Sequence, residues 1–124
     1  MTEQHCFIHN TLPGLNEILY IKHGKFGHFG YQRMKRDCEE RIGLCLAISH
    51  IKPVKRAWID FEWIEKNRRR DPDNITAGGR KFILDTLVWA GILKDDGWDE
   101  VAGWTDKFTV NKDNPGIKLT IKEK

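Results

Sequence analysis

The chain is poor in cysteine, with three among 124 residues. An odd count is poor material for a disulfide framework. Cys38 and Cys45 fall seven apart on one expected helix, which separates them by about 10 Å along its axis, too far to bridge. Long apolar runs are also missing, so no segment is expected to cross a bilayer. The N-terminus, "MTEQHCFIHN", lacks the basic start and apolar stretch of a secretory leader. Together these absences point to the cytoplasm, where thiols stay reduced. There is no internal repeat, low-complexity tract or Pro/Gly-rich linker, so a single domain over residues 1–124 is expected. With 40% apolar and 31% charged residues, the composition excludes a disordered chain.

Charge is present in quantity but unevenly. Residues 1–70 hold 13 Lys/Arg and 8 Asp/Glu, and residues 71–124 hold 8 Lys/Arg and 10 Asp/Glu. The two halves therefore carry +5 and −2, which sum to the net +3 of the chain. The boundary is abrupt. In "KNRRRDPDNI", Lys66, Arg68, Arg69 and Arg70 run straight into Asp71 and Asp73. A cationic run draws in a polyanion, and an adjoining acid pair holds something positive beside it. Nucleic acid and a divalent cation match that description.

The pattern along the chain mixes strands and helices. "CFIHNTLPGLNEILYI" reads as a strand followed by a loop, and "KHGKFGHFG" as a glycine-rich, basic, aromatic mobile loop. "YQRMKRDCEERIGLCLAIS" has apolar residues at 31, 34, 38, 42, 45 and 46, a helical spacing. "VKRAWIDFEWIEK" alternates, with Ala57, Ile59, Phe61 and Trp63 on one face and Trp58, Asp60 and Glu62 on the other. "RKFILDTLVWAG" suits a helix closed by a glycine at Gly91. "KFTVNKDNPGIKLTI" reads as a hairpin with an Asn-Pro-Gly turn. The fold expected is α+β: one domain, a mixed or antiparallel sheet with helices packed on it.

Pro72 stiffens the junction between Asp71 and Asp73, and Asp73 is placed to cap a helix beginning near Asn74. Two carboxylates so held suit a hard cation such as Mg²⁺. Asp95 and Asp96, in "KDDGWD", supply further acids if the chain returns beside them. Taken singly, these are also ordinary turn and cap sequences. An EF-hand is excluded, because Ile75 and Phe82 stand where its third ligand and closing glutamate belong. His5, Cys6 and His9 lack a second ligand pair at zinc spacing and read as plain strand and loop residues.

As an ordered string, "RRRDPDNI" followed by "KFILDTLVWAGILKDDGW" resembles the RusA family of Holliday junction resolvases, endodeoxyribonucleases common in prophages. The likeness covers residues 66–98 strongly and the N-terminal half weakly. It implies a homodimeric, Mg²⁺-dependent nuclease of bacterial, prophage-type origin, with Mn²⁺ as the alternative metal, that cuts two opposed strands of a four-way DNA junction. Its metal-binding acids correspond here to Asp71, Asp73 and Asp96, with Asp95 beside the third and Asp85 a further acid on the helix. Its essential lysine corresponds to Lys81 when "KFILD" is the anchor. Lys81 lies eight residues past Asp73, about twice the family's spacing, and Gly78-Gly79 reads as a loop that lets it fold back towards Asp71 and Asp73; the alternatives are that Lys81 pairs with Asp85 four residues on, at the helix surface, and that Arg80 takes the lysine's role.

The expected chemistry is phosphodiester hydrolysis. A metal held by the acids polarises the phosphate and lowers the pKa of a bound water, and Lys81 offsets charge in the transition state. Arg68, Arg69, Arg70 and Lys66 grip phosphates, joined by Lys22 and Lys25 of the glycine-rich segment. Two alternatives stay open: a junction-DNA-binding module that does not cut, and a nuclease for branched or flapped DNA in general.

Overall fold

The computed structural model describes residues 2–124. Its elements run β1 (Glu3–His9), α1 (Leu15–Lys22), α2 (Gly27–Ile48), β2 (Ala57–Glu65), α3 (Pro72–Trp89), β3 (Val101–Val110) and β4 (Gly116–Glu123). The four strands form one mixed sheet in the order β1-β4-β2-β3. β2 and β3 are parallel, with α3 as the crossover between them, whereas β1/β4 and β2/β4 are antiparallel. This is a single small α+β domain. No helix among the described residues is long and apolar enough to cross a membrane.

β2 is central because its sequence suits burial on one face along its whole length. Ala57, Ile59, Phe61, Trp63 and Glu65 are buried, and the residues between them are half-buried. The buried face meets Ile42 and Leu46 of α2 and Ile75, Phe82, Ile83 and Leu87 of α3 in one core. The opposite face is polar. Asp60 accepts hydrogen bonds from Trp58 Nε1 at 3.0 Å and Thr105 Oγ1 at 2.6 Å, and pairs with Lys122 at 2.8 Å. Burial alone pushes the Asp60 carboxyl up, but the bonds from Lys122, Thr105 and Trp58 outweigh it and hold it below its ordinary value. A sheet face so furnished can meet water.

The segment read as a hairpin is not one. β3 and β4 lie on opposite sides of β2, and the connection between them crosses the end of that strand, where Asn111 N–H donates to the Glu65 carbonyl at 2.8 Å. Alternation and an Asn-Pro-Gly turn are satisfied by either topology. What excludes the hairpin is that β2 needs partners on both edges.

The N-terminal half holds more helix than its pattern suggests. The stretch read as loop after β1 contains α1, whose only buried residue is Ile18. Leu15, Ile18 and Leu19 stand at helical spacing, but Leu15 and Leu19 stay exposed and only Ile18 enters the core. The glycine-rich segment is mostly helix as well: α2 begins at Gly27, and only residues 23–26 turn. Its glycines serve close approach. A Cβ at Gly27 would strike the Lys22 carbonyl, and one at Gly30 would sit 3.0 Å from Ile21 Cγ2.

α3 is continuous from Pro72 to Trp89, with Asp71 rather than Asp73 as its N-cap and Pro72 in its first turn. Gly78 and Gly79 are therefore helical and buried, not a loop. They pass close to Ile18 of α1 and to Trp63 of β2. Asn74 ties the helix start to α1 by accepting the Asn16 N–H at 2.8 Å. Gly91, at φ +79°, ends the helix as expected, and Ile92 N–H returns to the Leu87 carbonyl at 2.9 Å.

Gly79→Ala tests the helical placement. Its Cβ would lie 2.9 Å from Cζ3 of Trp63, a side chain 1% exposed. We expect a loss of about 1–2 kcal/mol in urea unfolding, overpacking outweighing the gain in helix propensity. A neutral or stabilising result would mean that the segment is open.

Candidate functional site

The cationic run sits in the turn between β2 and α3. Arg70 is drawn into the fold. Its Nε and Nη2 donate to the two carboxylate oxygens of Glu65 at 2.8 and 2.9 Å, and its Nη1 donates to the Leu12 carbonyl at 2.9 Å. Glu65 is buried at 8% exposure, so the pair is structural. Lys66, Arg68 and Arg69 are exposed. Asn67 shapes the turn by accepting the Arg69 N–H at 3.0 Å. The expectation that all three arginines face a ligand is thus revised for Arg70.

Asp71 holds extended backbone (φ −75°, ψ 154°), as a residue before proline should, and its carbonyl accepts the Ile75 N–H at 3.0 Å. Its carboxylate makes no capping hydrogen bond and stays exposed. It borders a shallow cleft of about 570 Å³, walled by Asn67, Arg68, Phe108 and Val110 among others. Asp73 is exposed in the first turn of α3, where a negative charge favours the helix dipole.

A second cluster lies further along α3. Lys81 Nζ stands 2.9 Å from Asp85 Oδ1 and 3.8 Å from Asp96 Oδ2, and Lys35 of α2 reaches Asp85 at 3.9 Å. Asp96 arrives from the 94–100 turn. That turn is fastened to the sheet where Arg56 Nη1 donates to the Trp98 and Asp99 carbonyls at 2.9 and 3.1 Å. Asp95 shapes it by accepting the Asp96 N–H at 2.8 Å. The hydrogen bond to Asp85, opposed by some burial and reinforced by both acids, raises the Lys81 pKa, so its ammonium is firmly charged.

The structure therefore brings Asp96, Asp85 and Lys81 together. Asp71 and Asp73 stay at the start of α3, with Lys81 about 12 Å further along the axis. Lys81 does not fold back, because the helix is uninterrupted at Gly78-Gly79. The donors are carboxylate oxygens of the kind Mg²⁺ and Mn²⁺ take. Among the described residues, however, no three His, Cys, Asp or Glu side chains are grouped so as to hold a metal ion. The residues do not fit a three-carboxylate cage within one chain.

Arg80, the neighbour of Lys81, has a different job. It forms a two-pronged pair with Asp106 of β3 at 2.8 and 2.9 Å and lies over the rings of Trp104, Phe61 and Trp63 at 4.7, 5.2 and 5.9 Å. Burial lowers its pKa, with Asp106 opposing. Sequence reasoning did not anticipate this pair, nor Lys35 beside Asp85. The signal for Lys35 was its position four residues after Tyr31, on the helix face that meets α3. Nothing local signals Asp106, which reaches Arg80 across 26 residues.

No protein-family model and no curated protein matches the chain.

Arg70→Ala would leave the Glu65 carboxylate buried without its partner. We expect a loss of roughly 3 kcal/mol, the low end for breaking a buried pair, read by chemical unfolding. Arg69→Ala, at an exposed position, should stay within about 0.5 kcal/mol of the parent.

Proposed function

We propose that the chain is a structure-specific endodeoxyribonuclease that works as a homodimer on four-way DNA junctions, with Mg²⁺ or alternatively Mn²⁺. The observation that carries the reading is the convergence of Lys81 with Asp85 and Asp96. All three lie in "KFILDTLVWAGILKDDGW", the part of the chain that resembles the RusA family, Lys81 and Asp85 on α3 and Asp96 in the turn that follows it. The chemistry of the side chains supports the same reading. Lys66, Arg68 and Arg69 supply phosphate contacts without sequence preference, which suits recognition of shape. The Lys81 side chain is 62% exposed, so it can turn from its carboxylates to a phosphate oxygen and offset charge that builds there. Arg80, held by Asp106 and three rings, has no such freedom. A four-way junction is close to two-fold symmetric, and a two-fold dimer presents two equivalent sites to it.

One observation favours a second reading. The lack of a three-acid group among the described residues is what a junction-binding module without cleavage would show, its acids serving only as caps and turns. A labelled four-way junction, a flap and a duplex, each incubated with the protein with and without Mg²⁺, separate the two. On the nuclease reading the junction is cut only with metal. The acids needed for cutting would then be divided between the start of α3 and the turn at Asp96 rather than gathered in one cage, and Asp71→Asn, Asp73→Asn and Asp96→Asn each abolish cutting while binding persists. Near-parental cleavage by all three would refute the assignment of those acids, and tight binding with no cleavage in either metal would favour the module.

Lys81→Ala should cut at least about a hundredfold more slowly, roughly 2.7 kcal/mol of transition-state stabilisation, with melting temperature and junction affinity little changed. Normal cutting by this variant would remove the lysine from the mechanism. Replacing Arg68 and Arg69 with Ala should flatten the salt dependence of junction binding by about two units of slope, near one per phosphate contact. An unchanged slope would place both arginines away from the DNA.

A further inference from the structure

We infer that the α1–α2 hairpin is a stacking platform for unpaired DNA bases. This inference rests on the DNA reading above and extends it to a surface outside the acid cluster. Residues 18–36 contain five Lys/Arg, the aromatics Tyr20, Phe26, Phe29 and Tyr31, and no Asp or Glu. The fold leaves three of those rings open to solvent: Tyr20, Phe26 and Phe29 are 82%, 68% and 74% exposed. Aromatic side chains so far from the core are unusual on a protein surface and mark a contact site when they gather. Beside them, Leu19, Tyr20, His23 and Phe26 border an open groove of about 600 Å³.

The charge of the hairpin selects the occupant. Among the described residues, no carboxylate lies within 4.0 Å of Lys22, Lys25, Arg33 or Arg36. Two of these cations rest on rings instead, Lys22 at 4.3 Å from the centre of Tyr31 and Lys25 at 5.6 Å from that of Phe26. Over residues 18–36, cations interleaved with exposed rings, and no acids, match a polyanion that also presents flat apolar faces. Single-stranded DNA has both: phosphates for the cations and base faces for the rings. Duplex DNA offers the phosphates, but its base faces are stacked on one another.

The platform also has a position that suits a branched substrate. Tyr31 follows it on α2 and packs on Phe82 of α3, with ring centres 6.4 Å apart. One turn further on, Lys35 reaches Asp85, which holds Lys81. The hairpin and the Lys81 cluster thus adjoin across the α2–α3 contact.

Metal-free fluorescence anisotropy with labelled oligothymidylate and a blunt two-strand duplex tests this. Phe26→Ala/Phe29→Ala should weaken oligothymidylate binding at least about tenfold, within the range for loss of base stacking, and duplex binding less than about twofold. Phe26→Leu/Phe29→Leu should fail like the alanine pair, and Phe26→Trp/Phe29→Trp should retain affinity, because stacking needs a π-face. Circular dichroism and melting should be unchanged, as both rings are exposed. Equal losses on the two ligands, no loss on either, or rescue by leucine would each overturn the platform. So would a drop in oligomeric state of the alanine pair on sedimentation, which would assign this face to a second copy of the chain. The nuclease reading fails separately. If the parent binds oligothymidylate through these rings but cuts no substrate in Mg²⁺ or Mn²⁺, the platform stands and the nuclease does not.

Discussion

Trp63 meets α3 at Gly79, and that contact sets how closely helix and sheet approach. The indole is fully buried, stacked on Phe61 with ring centres 5.3 Å apart, and donates its N–H to Asp106 at 2.8 Å. A glycine opposite the ring lets α3 lie flat on the sheet. Arg80, one residue on, then reaches over the same indole to the same Asp106. The arrangement ties β2, α3 and β3 together through one side chain. It also fixes the roll of α3, which turns Arg80 towards the β3 edge and leaves Lys81 exposed beside Asp85.

That roll decides which acids meet. Asp71 and Asp73 belong to the helix start and face solvent beside the cationic turn. Asp85 belongs to the helix middle, and Asp96 is brought to it by a turn that Arg56 fastens to the sheet. The charge alternation at the opening of α3 thus serves two ends. Arg70 closes inward on Glu65 and anchors the turn, and this leaves Arg68, Arg69 and Lys66 outside. A run that looks uniform in sequence divides into one structural cation and three exposed ones.

The platform and the acid cluster share the α2–α3 contact. Tyr31 and Lys35, one turn apart on α2, touch Phe82 and Asp85 on α3. Burying the aliphatic face of α2 against α3 therefore places the basic, aromatic start of α2 next to the charged middle of α3. The glycines that looked like looseness in this segment are what allow it. Gly27 and Gly30 permit α2 to begin directly against the end of α1, with Phe26 in the turn before it and Phe29 in its first turn.

Much of the secondary structure was legible from short-range pattern. The strict alternation of β2 survives because its whole inward face is buried, and the apolar spacing of α2 because that helix packs along its length. Gly91 ends α3 because a left-handed residue there needs no neighbours to explain it. The basic run and the aspartates were visible as composition. The pairing of strands was not, because a hairpin and a strand inserted between β3 and β4 use the same alternation and the same turn. Nor was α1, whose burial rests on one isoleucine, nor the helical state of Gly78-Gly79, which local propensity disfavours and the contact with Trp63 makes favourable. The partners of the charges were equally hidden. Whether Arg70 faces DNA or Glu65, and whether Lys81 joins Asp73 or Asp96, depends on where the backbone carries residues far apart in the chain. Local chemistry names the groups able to act; their distances come from packing.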